Sequence, residues 1–277
     1  MYTGNEVNRR DLLTAGIALA GAGAGVTALP AIAAADPVLP RTPEENLRAI
    51  VRASASLKEE NCPWYYNGTI YGCVGEEQPR PLFKFEGMEM YRMLHISPTE
   101  YEMIGNTVTF FTDVETNAFL YDYKNPYTGA TNKVEAAVQG GKAGRGFEYS
   151  INGIRPKIAK DKFPDQPLQM WWSTAGDYVW LHDQTVYPPG LQAPRMQRKT
   201  NFIRKDEFLN PKLDRFRTMF TAAVFMPWPK WMEMGDRPGH IVWHASGVKL
   251  NSIDEVPEKH RVRALKEHPD RMTISVN

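Results

Sequence analysis

Hydrophobic and polar positions change their period several times along the chain. A weakly apolar stretch runs from Leu12 to Leu29, diluted by Gly16, Gly21, Gly23 and Gly25. Thr42-Pro43-Glu44-Glu45 then has the pattern of a capping box with proline at the first helical position. Leu47, Ile50, Val51 and Leu57 follow at helical spacing, which predicts a helix. After Pro63 the period shortens. Trp64 to Val74, Leu82 to Ile96, Tyr101 to Phe111 and Phe119 to Tyr123 are rich in aromatic and β-branched residues and read as strands. Turns by composition separate them at Thr112 to Asn117 and Asn125 to Gly129.

Leu168 to Ser173 and Tyr178 to His182 are predicted to form a hairpin through Thr174-Ala175-Gly176-Asp177, and Phe216 to Met226 and His240 to Ser246 two later strands. Ser252-Ile253-Asp254-Glu255 is a second capping box, predicting a short helix that ends before Pro269. Many strands without a β-α-β rhythm predict a mainly β chain (β-rich α+β). The expected architecture is an antiparallel, barrel-like or strongly curved sheet with short N- and C-terminal helices. A barrel of this size can enclose one small ligand.

Asn8-Arg9-Arg10-Asp11-Leu12-Leu13 precedes the first apolar stretch, and the small residues Ala33 to Ala35 close it. Residues 1–35 therefore read as a twin-arginine export signal cleaved before Asp36. An uncleaved tether is the alternative, against which the glycines count, since a span needs about 20 predominantly apolar residues. On this reading the export machinery is one partner, the location is periplasmic or secreted, and no stable membrane span remains after cleavage. Residues 36–277 carry no linker, low-complexity run or internal repeat and are expected to form a single barrel-like domain.

Charge removes several function classes. Lys plus Arg number 33 against 32 Asp plus Glu, a formal charge of +1, so no basic surplus marks the chain for nucleic acid. Two cysteines cannot build a disulfide scaffold or a four-thiolate metal site. Cys62 and Cys73 lie on one extended segment, so a bond between them requires a turn. The glycine-rich run Gly140 to Gly146 fits neither dinucleotide nor phosphate-loop spacing and reads as a surface loop, or as a lid.

Two clusters carry candidate chemistry. In Gly235 to Gly247, strand period puts His240, Val242 and His244 on one face and Ile241, Trp243 and Ala245 on the other. Four residues along a strand span about 13 Å, too far for two imidazoles to share a metal, so no metal is assigned. What remains is two imidazoles suited to proton transfer, near Asp236 and Arg237. Core histidines bonded to backbone are the bland alternative. On Leu82 to Ile96, charges fall on both faces, with Glu86 and Arg92 sharing one face. That pair reads equally as a polar network in a barrel lumen or as an exposed edge. The Pro-broken segment Phe225-Met226-Pro227-Trp228-Pro229-Lys230-Trp231-Met232 hangs large apolar side chains from a loop, which must cover a barrel mouth, a ligand or another subunit.

Four blocks together resemble a bacterial family known as domain of unknown function number 1838: Leu39 to Leu47, Pro79 to Gly87, Asn125 to Gly129, and Trp231 through His244. Family members often carry a twin-arginine signal, which the pattern at Asn8 to Leu13 matches. The resemblance supplies no activity, and its most distinctive block holds the tryptophan loop and the histidine strand.

The functional expectation is an exported enzyme acting on a small aromatic or flat apolar molecule, in the manner of a cofactor-independent lyase or isomerase. His240 or His244 would move the proton, with Asp236 or Glu86 orienting or sharing it. Arg92 would hold an anionic group, and Tyr71, Trp171, Trp228 and Trp243 would form the walls. Cleavage products of plant aromatic polymers are a candidate substrate class. The alternative is a lipocalin-like periplasmic carrier without chemistry, and a homo-oligomer stays open.

Overall fold

The structure is a computed structural model and describes residues 39–140, 145–157, 163, 165–187 and 195–275. The expected export signal lies outside the described residues, as do residues 141–144 of the glycine-rich loop. No helix among the described residues is long and apolar enough to cross a membrane.

Helix α1 is Pro43–Ser54. Its predicted cap is formed: Thr42 Oγ1 accepts from the Glu45 N–H at 3.2 Å, and the Glu45 carboxylate accepts from the Thr42 N–H at 3.1 Å. Ten strands follow one another across a single antiparallel sheet. In spatial order they are β8 (Gly153–Pro156), β7 (Arg145–Ser150), β3 (Glu100–Thr112), β2 (Arg80–Ser97), β1 (Cys62–Cys73), β13 (His240–Lys249), β12 (Met219–Met226), β11 (Met196–Arg204), β10 (Tyr178–Val186) and β9 (Trp171–Ala175). Strand β6 (Ala137–Gln139) also pairs with β3, and β4 (Asp122–Lys124) forms a separate hairpin with β5 (Thr131–Lys133).

The sheet curls into a half-barrel. Its far ends are drawn together around α1, where Leu47, Ile50 and Val51 share one buried cluster with Met103 and Tyr149 from one end and Val179 and Leu181 from the other. The Leu168 N–H donates to the Ile151 carbonyl at 2.7 Å, tying the approach to β9 onto the end of β7. The last turn of α1 is fastened by groups from the sheet. Lys249 Nζ, 2% exposed as a residue, donates to the carbonyls of Arg52, Ala53 and Ala55 at 2.6, 3.1 and 2.8 Å. The Trp64 indole N–H reaches the Ser54 carbonyl at 2.9 Å. A cation and donors at the carbonyl end of a helix satisfy both its orphan acceptors and its dipole.

A short helix α2 (Lys205–Phe208) follows β11, and the outer face of β1, β2 and β3 is covered by helix α3 (Glu258–Glu267), over Met88, Val108, Phe110 and Tyr65. The second capping box behaves differently from expectation. Ser252 Oγ accepts from the Asp254 N–H at 3.1 Å, but it opens only a 3-10 turn, Ile253–Glu255. Pro257 holds Val256 in an extended conformation, and the α-helix starts afresh at Glu258. A disulfide is not formed. Cys62 and Cys73 are free and sit at opposite ends of the single strand β1, about 36 Å apart along its rise, with no turn between them.

The proline-broken segment packs its tryptophans against aromatic side chains of the sheet and of the β4–β5 hairpin. Trp231, held on the 3-10 turn Lys230–Met232, packs its ring 5.4 Å from Phe83, 5.8 Å from Phe111 and 5.9 Å from Tyr123. Asn125 donates to the Met232 carbonyl at 2.8 Å, joining the loop to the β4–β5 hairpin across that end of the half-barrel.

Candidate functional site

Register decides which side chains face the concavity, because paired residues of an antiparallel ladder share a face. Trp64, Tyr66, Gly68 and Ile70 of β1 oppose Glu89, Gly87, Phe85 and Phe83 of β2, and Tyr66, Gly68 and Ile70 oppose Gly247, Ala245 and Trp243 of β13. That inward set continues through Phe220, Ala222 and Val224 of β12, then Asn201, Lys199 and Gln197 of β11, then Leu181, Asp183 and Thr185 of β10.

The floor of this face is made of aromatic rings lying against glycines. A Cβ on Gly87 would stand 2.4 Å from the Tyr66 ring, and one on Gly247 would stand 2.5 Å from the Phe220 ring. Only hydrogen at those positions lets the rings fold down onto the sheet. Tyr66 Oη and Thr109 Oγ1 then meet at 2.7 Å.

Among these apolar surfaces sits a group of ionisable side chains. Glu89 accepts from Tyr91 Oη at 2.5 Å and from Thr107 Oγ1 at 3.5 Å. Asp183 accepts from Thr185 Oγ1 at 3.5 Å, and its cross-strand partner is Lys199. Lys199 Nζ lies 4.9 Å from the centre of the Trp64 ring and 4.4 Å from that of Phe220. Trp64 and Lys199 stand three strands apart, about 14 Å along a flat sheet, so their approach reports the curl.

Electrostatics binds the group into one site. Burial pushes the Asp183 carboxyl up, with Lys199 pulling it back. Burial draws the Lys199 ammonium down, with Glu89 and Asp183 opposing. The Tyr149 phenol is driven up by burial and feels Asp183, Tyr187 and Glu89. Yet Lys199, Asp183, Glu89 and Tyr91 are only half-buried. Asp183 and Lys199 are thus desolvated yet partly exposed, on the concave face that also carries Glu89 and Tyr91. Desolvated acid and base groups gathered in a concavity are an arrangement suited to proton transfer.

The residues singled out in the sequence are distributed differently. His240 and His244 share a strand face as expected, but it is the outer one. His244 is exposed, and His240 lies half-buried with its ring 5.8 Å from Phe225, lowered in pKa by burial and by Arg195. Trp243, between them, points inward onto Phe85 and Phe111 at 4.7 and 5.6 Å. Asp236 is exposed in the turn before β13. Tyr71 pairs with Val242 on the outer face. Trp228 packs beside Tyr127 at 5.3 Å, within the cluster at the closed end.

Glu86 and Arg92 form neither a lumen network nor an exposed edge. Glu86 sits on the outer face beneath α3, contacting Lys259 Nζ at 3.2 Å and Tyr65 Oη at 3.4 Å. Arg92 lies six residues further along β2, about 20 Å away. Trp171 is 65% exposed on the outer face of β9, its ring 4.3 Å from His182. The structure thus separates the expected proton-transfer residues from Trp243, the expected wall that faces the concavity. Among the described residues, no group of three or more His, Cys, Asp or Glu is placed to hold a metal. A further depression of about 190 Å³ on the outer face lies between Tyr178, Phe202, Arg204, Glu207, Arg217 and Met219, with Glu207 accepting from the Arg217 N–H at 2.8 Å.

No curated protein matches the chain. A solved structure, described as the crystal structure of Rv2717c from M. tuberculosis, aligns at 11% identity and a TM-score of 0.27, over 75% of this chain and 97% of that one. The family model described as "Protein of unknown function (DUF1838)" matches residues 59–142 and 194–272. Those segments include Trp64, Glu89, Tyr91, Lys199 and Phe220, and leave out Asp183. With more than half of its length matched, and with three of the four blocks noted above inside the matched segments and only Leu39 to Leu47 outside, the chain belongs to this family of unknown function.

Proposed function

We propose that the concave recess binds a small, flat, largely apolar molecule and transfers a proton on it, in a lyase or isomerase reaction. The observation that carries this reading is the set of ionisable groups placed on the largely apolar inner face: Glu89 bonded to Tyr91, and the desolvated, partly exposed cross-strand pair Asp183 and Lys199. Burying ionisable groups costs stability, and a scaffold built only to hold an apolar ligand gains nothing from them.

The rings of Trp64, Tyr66 and Phe220 supply the flat walls, and the tryptophan loop closes one end. An aromatic substrate, such as a fragment of a plant polymer, matches that lining. Asp183, with its raised pKa, serves as the acid. Glu89, held by the Tyr91 hydroxyl, serves as the base. The residues of the expected export signal extend the proposal to a periplasmic or secreted enzyme.

The carrier reading makes a distinct prediction. Wild-type protein and the Glu89→Gln and Asp183→Asn variants should be incubated with a panel of phenolic acids, aldehydes and alcohols, with products followed by chromatography. Catalysis requires turnover that drops at least about a hundredfold in the variants. Saturable binding with no turnover anywhere in the panel would support a carrier.

A further inference from the structure

Half-buried Lys199 differs from Lys249, the buried lysine of the same face, in what its nitrogen does. Lys249 Nζ is saturated by three helix carbonyls. Lys199 Nζ, among the described residues, makes no hydrogen bond or ion pair and rests on the Trp64 and Phe220 rings. Its neighbours across the ladder are Asp183 on one side and Ala222 on the other, and Glu89 acts on it from β2. A partly exposed amine with an acid across the ladder, a small alanine on its other side and no bonded partner is arranged for covalent work.

We propose that Lys199 is a nucleophilic amine that captures the carbonyl group of a small flat aldehyde or ketone as an imine. This rests on the reading of the recess as the functional site and names the substrate class of that site. A carbonyl compound fits better than an anion. Asp183 stands across the ladder from Lys199, and both it and Glu89 act electrostatically on the same nitrogen; their negative charge would repel a bound carboxylate or phenolate but not a neutral carbonyl. Burial also draws Lys199 toward its uncharged form, the one that carries the reactive lone pair.

The chemistry balances within the recess. The nitrogen lone pair forms the C–N bond as the carbonyl π pair moves to oxygen, which takes a proton from Asp183. The nitrogen gives up a proton to Glu89. The resulting hydroxyl, protonated in turn by Glu89, leaves as water while the nitrogen lone pair forms C=N, giving a protonated imine. Amine plus carbonyl gives iminium plus water after uptake of one proton, with no oxidant or reductant. The cation that results lies over the Trp64 and Phe220 faces and between carboxylates, both of which stabilise positive charge. The imine then acts as the electron sink for proton transfer at the adjacent carbon.

The test is reductive trapping. The protein is incubated near neutral pH with equimolar 4-hydroxybenzaldehyde and sodium cyanoborohydride, then analysed by intact mass and peptide mapping. One adduct is expected, on Lys199, and its rate of formation should fall at least about tenfold in Lys199→Arg and Lys199→Met, whose folding is checked by circular dichroism. Adducts spread over exposed lysines without preference for Lys199, or trapping unchanged in both variants, would overturn the inference. 4-Hydroxybenzyl alcohol, which cannot form an imine, serves as the companion probe through tryptophan quenching. If the alcohol binds saturably and no Lys199 adduct forms with the aldehyde, the imine falls while the recess stands. If neither probe binds, both readings fall together.

Discussion

His260 offers a quantitative test of how this fold is assembled. It lies on α3, is 0% exposed, and packs between Tyr65 and Phe110 at 6.1 and 5.2 Å. Neither ring nitrogen has a hydrogen-bond partner. Burial first, then Arg263 and Lys259, push its pKa from 6.5 to about 4. The folded protein therefore holds the ring neutral where the unfolded chain would protonate it. Between pH 6.5 and 4 the unfolded state binds more protons, so stability falls as pH falls through that window and is unaffected by this group above it. Moving the ring from 6.5 to about 4 corresponds to about 3 kcal/mol in total, of which about 2 kcal/mol is lost between pH 7 and 5.

Urea unfolding followed by tryptophan fluorescence, run from pH 7 to 4.5 on wild type and His260→Leu, isolates this contribution. Carboxylates with lowered pKa, such as Asp113 and Asp214, and Asp183 with its raised one, titrate in both proteins and cancel in the difference. The variant should be as stable as wild type or more so at pH 7, since it removes two unsatisfied nitrogens, and its acid loss should be about 2 kcal/mol smaller by pH 5. Parallel curves for the two proteins, or a loss above about 2 kcal/mol in the variant at pH 7, would refute the reasoning.

Further outcomes are expected elsewhere in the molecule. Lys249→Met should lower the unfolding free energy by about 2–4 kcal/mol in chemical denaturation, because three carbonyls at the end of α1 lose their donor. Gly87→Ala should cost about 1–3 kcal/mol and alter near-ultraviolet circular dichroism, since the new methyl displaces the Tyr66 ring. Protein recovered from an export-competent host should have an intact mass beginning at Asp36. Replacing Arg9 and Arg10 by lysine should leave the precursor uncleaved.

Much of the fold was legible because strand period and turn chemistry are local. The boundaries of β1, β2, β3 and β13 differ from the expected ones by a few residues, and the α1 cap forms as read. Strand β11 escaped notice because Met196–Arg204 alternates polar with polar: Gln197, Lys199 and Asn201 face the concavity rather than apolar residues. That absence hid Lys199. Asp183 was missed by one residue, since the expected strand ended at His182 while β10 continues to Val186.

Glu89 was visible as a charge on the face of Phe83, Phe85 and Tyr91. Lys199 and Asp183, with which it shares the inner face, lie on strands distant in sequence, and only curvature brings them toward it. The histidines of β13 were placed on the correct common face, but period alone does not say which face is concave. The apolar alternates Ile241, Trp243 and Ala245 turned inward, as burial favours, and left His240 and His244 outside.

The comparison that bears most directly on the site sets the inner face against the outer. Affinity and turnover for the best phenolic probe should be measured in Glu89→Gln and Asp183→Asn, and in His240→Ala and His244→Ala. The account predicts losses of about a hundredfold or more in turnover for the inner pair, and values within a few-fold of wild type for the outer pair. Unchanged turnover in the inner variants, with loss in the histidine variants, would contradict it and return the chemistry to the outer face of β13.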